Sequence, residues 1–410
     1  MKNFALQLTF WSLCLGALVF PFSVALTNAA FGTAIILSAI TGQFLQGFNL
    51  TRHRHTPLLF AIAAYLSLML LGLLWSQDID YGFKVLSHQW VWLMLPVLTV
   101  ISLDDKSRDR LLTFLSIGLT LHLIYCLLQR FDIVPSPDIA GSGIHDATGY
   151  IGHIGFGFVY AVWGGWLLHR GCLQTGWMRW GHWLLASWAF MMIFLAQGRS
   201  GYLVAIAILL TLFLKNVAGR LGWKRSMIAV GLISVVLLVI VSGPAKDRIQ
   251  ETRSGISAAM QGDIEHHAAA RWVIWYGTVK ILESSPLLGV GTGGFPISYS
   301  EIIQQFPELD VYDGKGFHHP HNIYLQSMVR WGITGAVVLL VLLTIWLRVG
   351  WRVEWMKKPD SSLIILSCIA VLIHGLSAAS LEEHFPAVLA IFMLGVGLGS
   401  SESEQKPLSG

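Results

Sequence analysis

The sequence predicts an all-α fold that crosses a membrane about twelve times. Three observations carry that reading: charge is scarce, the apolar runs are long enough to span a bilayer, and the remaining Lys and Arg gather on alternate connections. Of 410 residues, 54% are hydrophobic and only 12% charged, against about 25% charged in soluble domains. The run from Ser226 to Ala245 contains no Asp, Glu, Lys or Arg, and a spanning helix needs roughly 17–25 apolar residues. Seventeen Trp and ten Tyr suit an interfacial aromatic belt. The net charge of +4 is modest, and no nucleic-acid partner is expected.

Twelve apolar segments follow in order, at about 4–20, 29–48, 57–75, 86–103, 111–130, 150–169, 181–197, 201–215, 226–242, 332–350, 361–380 and 385–400. Lys2 and the apolar stretch behind it resemble a signal peptide, but no small-x-small cleavage site follows, so the first segment is read as a retained helix. Pro21, Pro57 and Pro386 fall at or near segment ends, where a missing N–H matters least, whereas Pro96 lies further inside and is a candidate kink. Cys14, Cys126, Cys172 and Cys368 form no CxxC pair and read as small packing residues.

Orientation follows from Lys and Arg. With the N-terminus in the cytoplasm, the cytoplasmic connections hold Arg52 and Arg54; Lys106, Arg108 and Arg110; Arg170 and Arg179; Lys215, Arg220, Lys224 and Arg225; and Arg348, Arg352, Lys357 and Lys358. The short outer connections hold only Lys84, Arg130 and Arg199. The chain therefore divides into nine spans over residues 1–242, a large outer loop with short helices over 243–331, three spans over 332–400, and a polar cytoplasmic tail over 401–410. Long loops translocate regardless of charge, so the basic residues of 243–331 do not contradict this topology.

Within the loop, Ala268 to Leu282 reads as a helix, with Trp272, Trp275, Tyr276 and Val279 at helical spacing, and Ile256 to Met260 as a shorter one. Ser284-Ser285-Pro286 ends the longer helix, and Gly289, Gly291, Gly293 and Gly294 follow as a flexible turn. Ile302, Ile303 and Phe306 suggest a short amphipathic helix lying on the membrane. A long loop in a compact protein is usually functional.

Three sites can carry chemistry. Arg199, in Gln197-Gly198-Arg199-Ser200-Gly201, puts a guanidinium at the outer membrane boundary between two spans. It is either an anion clamp, since Arg grips phosphate bidentately, or a snorkelling helix anchor. Arg271 opens the aromatic helix, as a second clamp or as a solvated loop residue, with the pair His266 and His267 just before it. The sharpest cluster is Phe317-His318-His319-Pro320-His321-Asn322-Ile323-Tyr324-Leu325-Gln326. Histidines next to a span are costly unless used. They suit a general base, with an unperturbed pKa near 6.5. A metal reading lacks an acidic or cysteine partner at the right spacing, and a polar interfacial loop is the third possibility. Asp310 and Asp313 read as solvated loop residues, and Glu382 and Glu383 as helix ends at an outer turn.

These residues resemble the O-antigen ligase family, within the superfamily that includes O-antigen polymerases and bacterial O-linked oligosaccharyltransferases. The resemblance rests on the Arg199 pentapeptide, on Arg271-Trp272 with the downstream Pro286-Leu287-Leu288-Gly289-Val290-Gly291 turn, and on His319 to Gln326 followed by Gly332-Ile333-Thr334-Gly335. It implies the all-helical fold of lipid-dependent glycosyltransferases. It also implies an activity: transfer of a whole O-antigen polysaccharide from undecaprenyl diphosphate to a sugar hydroxyl of lipid A core, at the periplasmic face of the bacterial inner membrane. No metal and no cofactor are implied. His321 would be the catalytic base and Arg199 and Arg271 would hold the diphosphate, with Gln197, Trp272, His319, Asn322 and Tyr324 in support. The first outer connection, Pro21 to Asn28, contains no carboxylate with which to hold a cation. A polymerase of the same superfamily is the nearest alternative. An oligosaccharyltransferase would carry a further soluble domain, and a secondary transporter would show internal repeats and mid-membrane charges.

Reporter fusions check the topology. Fusions after Lys246 and after Lys358 are expected to report opposite sides, outer and cytoplasmic respectively; the same side for both overturns it.

Overall fold

The computed structural model describes residues 2–139, 142–196, 198–218, 270–310 and 317–403. The expected span at 226–242, the short helix at 256–260, His266, His267, Asp313 and the polar tail beyond residue 403 lie outside the described residues. Among the described residues the chain is helical, without strands: α1 (Lys2–Val19), α2 (Val24–Thr41), α3 (Gln43–Arg54), α4 (Thr56–Leu71), α5 (Ile79–Ser87), α6 (Met94–Ile101), α7 (Asp105–Arg130), α8 (Gly152–Leu173), α9 (Gly176–Leu195), α10 (Arg199–Ala218), α11 (Ala270–Ser284), α12 (Phe295–Gln305), α13 (Ile323–Arg352), α14 (Ser362–His374) and α15 (His384–Glu402).

Each expected apolar segment inside the described residues coincides with a helix. Among the described residues, five stretches are long and apolar enough to cross a membrane: α2, residues Ile79–Ile101, α7, α13 and α15. A sixth arises if α3 and α4, bent by 113° at their junction, form one broken span. The segment expected at 29–48 is divided at Gly42, whose φ of +83° places it in the left-handed cap position that glycine fills without strain. The segment expected at 86–103 begins earlier, at Ile79, where the Asp78 carboxylate caps α5 by accepting the Tyr81 N–H at 2.8 Å. Pro96 does not kink a long helix, because a 3₁₀ turn over His88–Leu93 ends at α6 and puts Pro96 in the first turn of that helix. All four cysteines are buried.

α15 is the centre of the bundle, with 83% of its apolar window buried. Its small residues admit the neighbouring backbones. A Cβ at Gly399 would lie 2.5 Å from the Thr99 carbonyl oxygen of α6, and one at Gly397 would lie 2.6 Å from Ile364 of α14. Close approach at small residues raises van der Waals contact where no aqueous hydrophobic force operates between helices. α8 and α10 use the same device: a Cβ on Gly157 would fall 2.2 Å from the Gly201 Cα.

One break positions the loop. α13 is interrupted at Trp331 and Gly332, the latter at φ +63°, so residues before it belong to the loop and residues after it to the span. Breaking a helix strands carbonyls. Here the Pro286–Gly291 turn satisfies them: Val290 N–H donates to Val329 O at 2.9 Å, Gly291 N–H to Arg330 O at 2.8 Å, and Ile333 N–H to Pro286 O at 3.0 Å. The glycine turn is therefore a packed plug rather than a flexible linker. It is pinned to α4 by Thr292, whose N–H donates to Gly72 O at 3.1 Å and whose hydroxyl donates to Met69 O at 2.6 Å.

α12 forms as the spacing predicts, but Ile302 and Ile303 pack inward with Ile274, Ile281, Phe295, Tyr299 and Val329 rather than lying on lipid. In α11 the buried stripe is Ile274, Thr278 and Ile281, while Trp272, Tyr276 and Val279 are exposed.

At the end of the bundle remote from that loop, Asp360 is 2% exposed and joins three elements. It accepts from Arg108 Nε of α7 at 3.0 Å and from the Trp166 indole of α8 at 2.9 Å, and it lies 3.6 Å from Arg170. Breaking a buried pair from one side leaves the other charge uncompensated. Asp360→Ala is expected to cost roughly 3 kcal/mol, the low end for such a loss because Asp105 still pairs with Arg108 at 2.8 Å. Thermal unfolding in detergent measures this, and an unchanged midpoint would refute it.

Candidate functional site

Five chain segments meet at the loop end of the bundle. Residues 317–322 run into α13, and the 375–383 connection lies against them: Ile323 N–H donates to Gly375 O at 2.8 Å, and the Asn322 amide donates to Leu376 O at 3.0 Å. His374 then ties in the start of α8, donating from Nε2 to Ile154 O at 2.9 Å while its Nδ1 accepts from the Ser380 hydroxyl at 2.8 Å. The start of α10 packs on that same turn of α8, where a Cβ at Gly198 would lie 2.7 Å from His153 O. α11 closes the group from the loop, with the Trp275 indole donating to Pro320 O at 2.9 Å.

The three histidines differ sharply in use. His318 is spent on position: its ring stacks on Tyr81 at 5.5 Å, and its carbonyl accepts from the Tyr81 hydroxyl at 3.0 Å. His319 brackets the turn, its Nδ1 accepting the His321 N–H at 3.2 Å. His321 sits at φ +50°, an uncommon conformation for a residue with a Cβ, and its ring lies 4.2 Å from that of His319. Its Nδ1 is buried without a hydrogen-bond partner. Of the three rings, His321 thus keeps a buried nitrogen open to a ligand.

Arg271, in the first turn of α11, lies near enough for its charge to act on His321, His374 and Glu383. Burial, reinforced by Arg271, holds His321 down to about 4. Burial, reinforced by His321, Arg330 and His318, holds His319 down to about 3. Both rings are therefore neutral at pH 7. Glu383 moves the other way: burial pushes it up to about 7, against the opposing pull of the Ala379 N–H and Arg271. The site holds the Arg271 cation, neutral imidazoles and a carboxyl that titrates near neutrality, a combination able to attract an anion and accept a proton.

Arg271, Trp272, His319, His321, Asn322 and Tyr324 are thus brought to one end. Gln197 and the Arg199 side chain lie outside the described residues; the α10 backbone begins at Arg199, beside the start of α8. Asn322 is a helix cap, its Oδ1 accepting from the N–H groups of Tyr324 and Leu325, both at 3.0 Å. Tyr324 donates to Leu372 O at 2.7 Å. These two support the loop rather than face a ligand.

Sequence reasoning passed over two residues. Glu382 is not a simple helix end but the ion-pair partner of Arg330, which is 0% exposed. Glu383 does not cap α15 with its side chain, which instead turns back to accept from Ala379 N–H at 3.2 Å. The one signal was an arginine in the first turns of an apolar segment, which demands a buried carboxylate partner.

The opposite shifts give a pH test. The folded Glu383 holds its proton to about 7, whereas an unfolded glutamate loses it near 4.3. Between those values the folded state binds more protons, so this group's contribution falls as pH rises. Glu383→Gln is expected to match the wild type near pH 4 and to exceed it above pH 7, by on the order of 1–3 kcal/mol. The displaced histidines act in the opposite sense, since the unfolded state binds more protons between their folded values and about 6.5, and they stay in both proteins. Melting curves of the two proteins from pH 4 to 8 test this; a constant difference across that range defeats the assignment.

No curated protein matches the chain. A family model described as O-antigen ligase matches residues 184–340, a stretch that runs from α9 across α10, α11, the glycine turn and the histidine loop to beyond the break in α13. Over that stretch the chain is similar to the O-antigen ligase family.

Proposed function

We propose that the protein is an O-antigen ligase, moving O-antigen polysaccharide en bloc from undecaprenyl diphosphate to a sugar hydroxyl of lipid A core. The reading places this at the periplasmic face of the inner membrane, with twelve spans, both termini cytoplasmic and no metal. The observation that carries it is the Arg271 charge acting on His321, whose Nδ1 is buried without a hydrogen-bond partner, inside the stretch that matches the family model.

In this reading the acceptor oxygen attacks the anomeric carbon of the donor. The bond from that carbon to the phosphate oxygen breaks, and its electron pair leaves with the diphosphate. Arg271 and Arg199 stabilise the charge that develops there, a job worth most when the donors are already in place. The proton of the acceptor hydroxyl passes to His321 Nδ1. Because His321 is held down to about 4, it is a weak base and takes the proton only as the new carbon–oxygen bond forms. A single displacement inverts the anomeric centre. A polymerase would use the same steps with a second lipid-linked glycan as acceptor.

Arg199→Ala and Arg271→Ala are each expected to slow transfer about 10²–10³-fold, the scale of removing one oxyanion donor. Lys should rescue poorly, because it lacks the planar fork that fits phosphate. His321→Ala should lower the rate on the order of 10²–10⁴-fold even at saturating donor, while His318→Ala stays mild. Purified, reconstituted protein given lipid-linked polysaccharide and lipid A core measures this. Recovery of His321→Ala at saturating donor removes His321 from the role of base. Transfer to a second lipid-linked glycan in place of core identifies a polymerase.

A further inference from the structure

Beneath the histidine loop, α13 carries two polar side chains that the steps above do not use. Gln326 is 2% exposed and Arg330 is 0% exposed. They stand four residues apart, so they share a helix face. Both polar atoms of the Gln326 amide, Nε2 and Oε1, have no hydrogen-bond partner. Arg330 Nη1 pairs with Glu382, and its guanidinium also hydrogen-bonds the Tyr81 side chain and lies by His319. A buried donor or acceptor left unmatched is a standing cost. A core with no further task would place a Met and a Leu here.

The charge balance selects the class of ligand. Arg330 is neutralised by Glu382, and Gln326 is uncharged, so this patch has no net charge with which to draw a phosphate. Arg271 already supplies a cation nearby, toward His321. What the patch offers is an amide donor and an amide acceptor on Gln326, four residues from the planar Arg330 guanidinium. That set matches neighbouring hydroxyls of a sugar ring, each of which both donates and accepts. We propose that Gln326 and Arg330 form a saccharide subsite under the 317–322 loop, recognising ring hydroxyls of one of the two transferred partners and positioning it below His321. The inference rests on the glycosyl-transfer reading above. With the 317–322 loop in place neither side chain is open to solvent.

The test uses Gln326→Met and Arg330→Lys in reconstituted full-length protein, with lipid-linked polysaccharide and lipid A core each varied at saturating amounts of the other. Met keeps the volume and removes the unmatched amide. Lys keeps the charge opposite Glu382 and loses the fork. Gln326→Met is expected to melt no lower than the wild type and to raise KM about tenfold, the loss of one to two hydrogen bonds, for one substrate and not the other. A rise for core assigns the subsite to the acceptor, and a rise for donor assigns it to the sugar next to the diphosphate. Arg330→Lys should raise the same KM. Wild-type KM values for both substrates in Gln326→Met overturn the subsite, whether or not the variant melts lower. A wild-type protein that transfers nothing defeats the glycosyl-transfer reading itself, whereas variants that match an active wild type defeat only the subsite.

Discussion

The interruption of α13 at Trp331 and Gly332 is the constraint on which the functional end depends. A continuous helix would carry Asn322 to Arg330 straight on from the span. The break instead lets the first turns lie against α4, α11 and the 375–383 connection. It is stable only because the Pro286–Gly291 turn supplies N–H groups to Val329 O and Arg330 O. The fit permits no Cβ on either side: one at Gly332 would sit 2.1 Å from Leu287 O, and one at Gly289 would sit 2.4 Å from Val329 O. Both glycines also hold positive φ, so close approach and backbone conformation demand the same residue twice. The turn and the histidine loop, separate in sequence, are one folded unit.

Buried charge is handled in opposite ways at the two ends of the bundle. Around Asp360 the account closes: its two carboxylate oxygens accept from Arg108 and Trp166, and Arg170 also pairs with Asp109 at 2.6 Å. At the histidine end it stays open, with unmatched atoms on His321 and Gln326. Unmatched buried atoms also occur elsewhere, on Ser102, His169 and Ser400 among others, so what distinguishes the histidine end is that they gather there with titratable groups and a nearby cation.

Much of this was legible in the sequence. Hydrophobic run length located the helices, since a bilayer sets both their length and their lack of charge. The histidine run and Arg271 were visible because such residues are costly beside a span. Three things were not visible. The division at Gly42 needs a backbone angle, which an apolar count does not contain. The buried face of α11 cannot be told from its aromatic spacing, because Trp272 and Tyr276 suit an exposed interfacial site as well as a core. The pairing of Arg330 with Glu382 joins residues 52 apart, and a pattern read along the chain sees only near neighbours. That omission hid the polar floor of the site.

The position of α15 bears on assembly. This helix fills the middle of the bundle, packed on α6, α8 and α14, yet it follows all of them in the chain. Synthesis runs from the N-terminus, so every partner face is made before the helix that covers it. The close approaches come from α15's own glycines: Gly395 faces Leu98 of α6, Gly397 faces Ile364 of α14 and Gly399 faces the Thr99 carbonyl of α6. The bundle is therefore keyed shut from its centre by the last of its partners to leave the ribosome. The 375–383 connection, carrying Glu382 to Arg330, is drawn into place by the same event. Insertion of α15 thus assembles the core and the functional end in one step.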